Sequence, residues 1–149
     1  MLIALRPAGP GDIDMLDAMH TLCMRPHVER VYPWKPELFR ETFDPSAAEV
    51  ITVDGADAGM LTLAGEPGAI LLRTIIIFPE FQGRGIGSVV IGRLLERAGA
   101  RGVPVRLQVL KGNPARGLYE RLGFRAVDET PTHHIMVSEG RGDRPGGRR

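Results

Sequence analysis

One run of residues constrains this chain more than any other: Pro79-Glu80-Phe81-Gln82-Gly83-Arg84-Gly85-Ile86-Gly87-Ser88. An apolar, β-branched stretch from Ala69 to Phe78 precedes it and stops at Pro79. After it, Ile86, Val89, Val90, Leu94, Leu95 and Ala98 recur at helical spacing until Gly99 and Gly102. The run is therefore a strand-to-helix turn. Gly83, Gly85 and Gly87 remove side chains where the chain bends, so successive N–H groups can point into one concavity. The helix that follows adds the positive end of its dipole, which suits a phosphate or diphosphate. Arg84 adds a charge independent of backbone geometry. A flexible turn without a ligand accounts for the glycines too.

Other nucleotide and hydrolase loops fail on spacing. A Walker A loop needs Gly-Lys-Ser/Thr, and the chain reads Gly85-Ile86-Gly87-Ser88. A dinucleotide fingerprint needs glycine where Ser88 stands. A serine-hydrolase elbow needs glycines two residues either side of Ser88, where Ile86 and Val90 lie.

The remaining chain supplies a frame for that turn. Leu2–Leu5 reads as a strand. Asp12 is placed to cap a helix with Ile13, Leu16, Met19, Leu22 and Cys23 on one face, ended by Pro26. Val28–Pro36 is irregular, and Glu37–Phe43 reads as a second short helix. Glu49–Val53 and Ala58–Leu63 flank Asp54-Gly55 as a hairpin. Val103–Leu110 is a strand. Asn113-Pro114 opens a helix with Leu118 and Leu122 inward, and Gly123 stops it. Ala126–Asp128 and His133–Val137 form a last strand pair. Hairpins mixed with βα units predict an α/β fold whose central sheet is mixed and mostly antiparallel, with helices on both faces. One domain is expected over residues 1–138, followed by a disordered Gly- and Arg-rich tail at 139–149.

Composition narrows the function. Nineteen Lys and Arg against eighteen Asp and Glu leave a net charge of +1, giving no electrostatic reason to expect nucleic acid or an anionic membrane as partner. No stretch approaches the roughly 20 apolar residues of a membrane span, and the N-terminus lacks the pattern of a signal peptide, so the expected location is cytoplasmic. A single cysteine, Cys23, excludes an internal disulfide and a cysteine-rich zinc site, and no histidine–carboxylate spacing argues for a metal.

Two motifs in register carry a resemblance. Gln82-Gly83-Arg84-Gly85-Ile86-Gly87 is similar to the Gln/Arg-x-x-Gly-x-Gly/Ala loop of the GNAT superfamily of acyl-CoA-dependent N-acetyltransferases. Asn113-Pro114-Ala115-Arg116-Gly117-Leu118-Tyr119-Glu120-Arg121-Leu122-Gly123-Phe124 resembles that family's later motif, a helix carrying Tyr before Leu-Gly-Phe. The resemblance covers Leu2 to about Val137. It implies a GNAT-like fold, acetyl-CoA as acyl donor, a primary amine of a small molecule or peptide as acceptor, and direct transfer in a ternary complex. It also implies a homodimer.

By the same resemblance the cofactor contacts fall to Ile77, Gln82, Gly83, Arg84, Gly85, Ile86, Gly87, Ser88, Asn113, Arg116 and Tyr119. The pantetheine arm would pair like an extra strand where Arg73–Phe78 and Val105–Leu110 splay apart. Tyr119 is the position the family uses to protonate the leaving thiolate. Packing alone also explains Tyr119, and a helix cap also explains Asn113. Many relatives carry a Glu on the strand before the turn as general base; here Ala69–Phe78 holds Arg73 and Thr74 and no acid. Glu29, Glu41, His134 or a water chain are the replacements. An acceptor pocket is expected along His27–Glu37, where Tyr32, Trp34 and Glu29 offer aromatic faces and a carboxylate to an ammonium, with His134 as a further candidate; packing of the loop explains Tyr32 and Trp34 equally well. Two rival functions use the same fold: a non-catalytic acyl-CoA binder, and transfer of a longer acyl group.

Overall fold

A computed structural model describes residues 1–139. The expected tail beyond lies outside the described residues. The elements, in chain order, are β1 (Ile3–Pro7), α1 (Ile13–Val28), α2 (Leu38–Thr42), β2 (Ala48–Val53), β3 (Ala56–Glu66), β4 (Ala69–Ile77), α3 (Ile86–Ala100), β5 (Val105–Leu110), α4 (Ala115–Arg121), β6 (Arg125–Glu129) and β7 (His133–Ser138). The seven strands follow the order β1-β2-β3-β4-β5-β7-β6. The β4–β5 ladder is parallel. The β1–β2, β2–β3, β5–β7 and β6–β7 ladders are antiparallel. The sheet is thus mixed and mostly antiparallel, as the pattern of hairpins and βα units predicts. By contacts the chain forms two compact units, Met1–Thr62 with Thr74–Ile86, and Leu63–Arg73 with Gly87 onward.

In the first unit, Leu16, Val50, Met60, Ile76 and Phe78 make a buried cluster, with Met15, Met19, Cys23, Met24, Phe39, Phe43 and Phe81 packed against it. Burying one such aliphatic or aromatic side chain fully is worth about 1.5–3 kcal/mol, so this cluster is what holds α1 and α2 to the strands. The Asp54-Gly55 turn takes φ 50° and 85°, the left-handed pair that a two-residue hairpin requires. β3 and the end of β4 approach closely: a Cβ on Gly59 would collide with the Ile76 carbonyl. Just beyond β4, the Phe78 N–H donates to the Ala58 carbonyl at 2.8 Å.

Local expectations change at Asp12 and at Pro26. Asp12 does not cap α1 with its side chain. Its carboxylate is taken by Arg6, at 2.9 and 3.1 Å, and by the Gly9 N–H at 2.8 Å. The charged guanidinium outcompetes a neutral amide for the carboxylate and holds its pKa below the usual range. Pro26 does not end α1, which runs on to Val28. A proline costs most in mid-helix; Pro26 sits in the last turn, where Glu29 N–H still reaches the Arg25 carbonyl at 2.9 Å.

In the second unit, Ile70–Leu72 of β4 pair with Val105–Leu107 of β5. β5 pairs along its whole length with β7. The helix α3 buries Val90, Ile91, Leu94, Leu95 and Ala98, while Val89, assigned to the same face by periodicity, is 39% exposed. The helix α4 begins one residue later than the Asn-Pro signal suggests, at Ala115, with the Asn113 side chain accepting its N–H at 2.9 Å. Gly123 closes it at φ 97°.

Candidate functional site

The glycine turn is built as its sequence requires. After Phe78, a single turn of 3-10 helix, Pro79–Phe81, swings the chain out of the strand. Gly83 and Gly85 both take φ 78°, and open space surrounds the Cβ position of each. Glycine is needed here for backbone conformation, not for room. Side chains would cost roughly 1–2 kcal/mol apiece in that region. The stretch Gln82–Gly85 is exposed, whereas Ile86 is buried and anchors the first turn of α3. First-turn amides lack intrahelical acceptors, so the N–H groups that follow Gly85 are free to meet an anion.

The polar side chains of the turn face inward on their own backbone. The Gln82 side-chain amide donates to the Ile77 carbonyl at 2.9 Å, tying the turn to the end of β4. Arg84 donates to the Glu80 carbonyl at 3.1 Å and lies over the Phe81 ring, 5.4 Å from its centroid. The structure therefore brings Ile77, Gln82, Gly83, Arg84 and Gly85 together.

The α1 helix adds a residue read from the sequence only as part of an apolar face. The Cys23 thiol lies 3.8 Å from the same Ile77 carbonyl. Burial pushes its pKa up, so it is a neutral donor and not a nucleophile. One turn earlier, His20 stacks on Phe39 with centroids 4.6 Å apart and lies 5.7 Å from Trp34. Phe39 in turn stacks on Phe43 at 5.3 Å. Trp34 thus packs within an aromatic group, while Tyr32 is 46% exposed. Glu29 is paired with Arg25 at 3.0 Å. Glu41 is exposed. The signal that would have found His20 is its three-residue spacing from Cys23, which puts the two on one helix face.

In the second unit, Tyr119 is the buried residue of α4, 9% exposed, and meets Phe124 edge to face at 5.7 Å. Burial pushes its phenol up to about 12, so it stays protonated throughout the neutral range. Arg116 reaches Glu120 at 3.3 Å and His134 Nε2 at 2.9 Å. A guanidinium only donates, so Nε2 of His134 is the acceptor and its proton sits on Nδ1, 3.9 Å from Glu129. His134 is therefore already occupied as a base. Among the described residues, no group of three or more His, Cys, Asp or Glu is placed to hold a metal ion, and no helix is long and apolar enough to cross a membrane.

The βα turn with left-handed glycines and, in the second unit, the helix carrying a buried tyrosine before Leu-Gly-Phe are the two motifs whose sequences resemble the acyl-CoA-dependent acetyltransferases. The model of the acetyltransferase (GNAT) family matches residues 16–124, and the chain belongs to that family of acyltransferases. Over 123 residues it is 34% identical to an acetyltransferase of Pectobacterium atrosepticum, covering 77% of this chain and 84% of that one. It is also 38% identical over 71 residues to the ribosomal protein bS18-alanine N-acetyltransferase of Haemophilus influenzae, a match spanning 47% of this chain and about half, 49%, of that relative. Among solved structures, the PaiA N-acetyltransferase of Thermoplasma acidophilum in complex with coenzyme A superposes with a TM-score of 0.77 at 18% identity, over 93% of this chain and 99% of that one.

Proposed function

We propose that the protein transfers an acetyl group from acetyl-CoA to a primary amine, with the N-terminal amine of a protein or peptide as the acceptor class. The observation that carries this reading is the exposed Gly83–Gly85 turn, with its two positive φ angles, leading into the first turn of α3. A diphosphate has the charge and size to engage those amides. Gln82 is then a positioning residue, since its amide fixes the end of β4 against the turn. The acceptor class follows from the relative that acts on an alanine of a ribosomal protein.

The chemistry assigns one role to Tyr119 and withholds another. The amine nitrogen forms a bond to the thioester carbon, an oxyanion develops, and its collapse breaks the C–S bond. A phenol at about 12 is a poor source of a proton for a thiolate of parent pKa about 8.5; outright transfer runs uphill by roughly 5 kcal/mol. The role that fits Tyr119 is therefore a hydrogen bond to the departing sulfur, and the proton that the sulfur keeps comes from the attacking nitrogen.

Calorimetry with acetyl-CoA, together with thiol release on a peptide that begins with alanine, tests the proposal. Binding and turnover are expected, with none on the same peptide acetylated at its N-terminus. No heat at millimolar acetyl-CoA would overturn it. The deep burial of Tyr119 is the one observation that favours a second reading, a non-catalytic acyl-CoA binder; binding without turnover on the peptide or on a panel of small amines would select it.

A further inference from the structure

We infer that His20 is the base that takes the proton from the acceptor ammonium, with Asp17 and Arg40 holding its ring in place. The inference rests on the acetyl-transfer reading above and supplies the group that β4 lacks, since Ala69–Phe78 carries no acid. The α1 helix reaches the end of β4, because the Cys23 thiol lies 3.8 Å from the Ile77 carbonyl. His20 is one turn back on the same helix face, with Cβ atoms at such spacing about 5–6 Å apart. Its plane is set by the Phe39 ring at 4.6 Å and the Trp34 ring at 5.7 Å.

Two buried polar atoms are left over on this face. Among the described residues, His20 Nδ1 and Asp17 Oδ1 are both buried and both lack a hydrogen-bond partner. The other Asp17 oxygen is held by Arg40 Nε at 2.8 Å, and Arg40 also reaches Asp14 at 2.9 Å. Residues three apart on a helix are neighbours, and a bond from Nδ1–H to Asp17 Oδ1 would satisfy both atoms at once. Such a bond would fix the tautomer and leave Nε2 as the basic nitrogen.

Charge and burial set the protonation state. Desolvation is the larger influence and pushes the imidazole below its ordinary pKa, while Asp17 pushes it up. The charged group that acts on it is the Asp17 carboxylate on α1, itself paired with Arg40 from α2, which also holds Asp14; the rings of Trp34 and Phe39 against it are neutral, as is the Cys23 thiol one turn on along α1. At neutral pH His20 is therefore uncharged and able to accept a proton. It takes one from R–NH3⁺, giving an imidazolium and R–NH2. The lone pair so released attacks the thioester carbon; as the C–S bond breaks, a second proton leaves the nitrogen and ends on the departing sulfur as the thiol, and the imidazolium later returns its proton to water. The other candidates are engaged or distant from this face: Glu29 is paired with Arg25, and His134 Nε2 with Arg116.

The test compares wild type with His20→Gln and Asp17→Asn, using the alanine-initiated peptide and a panel of small amines. His20→Gln is expected to lower kcat about 100-fold, with acetyl-CoA affinity within twofold of wild type. Wild type is expected to lose kcat as pH falls below about 6.5, and that acidic limb should vanish with the substitution. Asp17→Asn should keep that fall but move it to lower pH, because the charge that raises the imidazole pKa is gone. A His20→Gln protein within threefold of wild type, or one that retains the acidic limb, overturns the inference and leaves the transferase reading standing. A wild type that binds no acetyl-CoA, or acetylates none of the amines, overturns both. Should His20→Gln fail to fold, a ¹⁵N titration of wild type decides: a neutral Nδ1–H tautomer titrating below 6.5 is expected, and an Nε2–H tautomer or a higher pKa overturns the assignment.

Discussion

The turn at Gly83–Gly85 and the aromatic group around His20 belong to the same compact unit, but they specify their chemistry by different means. The turn works through backbone conformation: two positive φ angles and a strand end tied down by Gln82. The aromatic group works through burial: an imidazole packed against two rings, with two buried polar atoms, His20 Nδ1 and Asp17 Oδ1, that lack hydrogen-bond partners among the described residues. Backbone conformation leaves a mark at single sequence positions, because glycine is the residue that tolerates it. Burial leaves no such mark, since it depends on residues brought in from elsewhere. Substitutions on either side should therefore fail differently.

The largest effect is expected at Gly59→Ala. Its Cβ would meet the Ile76 carbonyl, which is main chain and cannot rotate away. A loss of about 3 kcal/mol, or roughly 10 °C in melting temperature, should follow. A variant that melts within 2 °C of wild type would show that the strand end leading to the turn is less fixed than the comparison requires.

Next comes Tyr119→Phe, which separates the phenol's chemical role from its packing. Thiol release should fall about 10- to 100-fold, with acetyl-CoA affinity little changed. Stability against pH gives an independent readout. The folded phenol titrates near 12 against an ordinary value of 10, so the folded state binds the proton more tightly. That stabilisation is present below pH 10 and is lost as pH rises through 12. It amounts to roughly 2–3 kcal/mol. Urea melts of wild type should lose that much more stability than Tyr119→Phe between pH 10 and pH 12. Equal pH slopes would mean the phenol is not desolvated.

Gly85→Ala should act on binding rather than on the core. The space around its Cβ is open and φ is 78°, so the penalty is conformational, about 1–2 kcal/mol. Acetyl-CoA affinity should drop about tenfold. Gly55→Ala, at φ 85° in the β2–β3 hairpin, carries the same penalty and should leave that affinity alone. If both variants bind acetyl-CoA as wild type does, the diphosphate does not rest on the turn.

How much of this was legible in the sequence follows the same division. The strand, turn and helix from Ala69 to Ala98 could be read because β-branching, proline and glycine each restrict the local backbone. The Asp54-Gly55 hairpin and the Gly123 stop were legible for the same reason. Leu22 shows where periodicity runs out: it has helical spacing with the apolar face of α1, yet it is 58% exposed. Asp12 stands at a cap position but belongs to Arg6, which is distant from any capping motif. His20 drew no attention because its neighbours Trp34 and Phe39 come from a different segment, and only the fold brings them to it.

The smallest effects set two residues of the irregular His27–Glu37 segment against each other. In sequence, Glu29 and Trp34 look equally suited to an ammonium. In the fold they part. Glu29 is one partner of an exposed i,i+4 ion pair with Arg25. Such pairs contribute a few tenths of a kcal/mol and are screened by salt. The Trp34 ring lies 5.7 Å from His20, and a cation over an aromatic face gains about 1 kcal/mol. Trp34→Ala should therefore raise KM for the peptide about fivefold without altering acetyl-CoA affinity, while Glu29→Gln should change neither. An increase in KM confined to Glu29→Gln would move the acceptor site off the aromatic group, and with it the argument that burial rather than surface charge selects the amine.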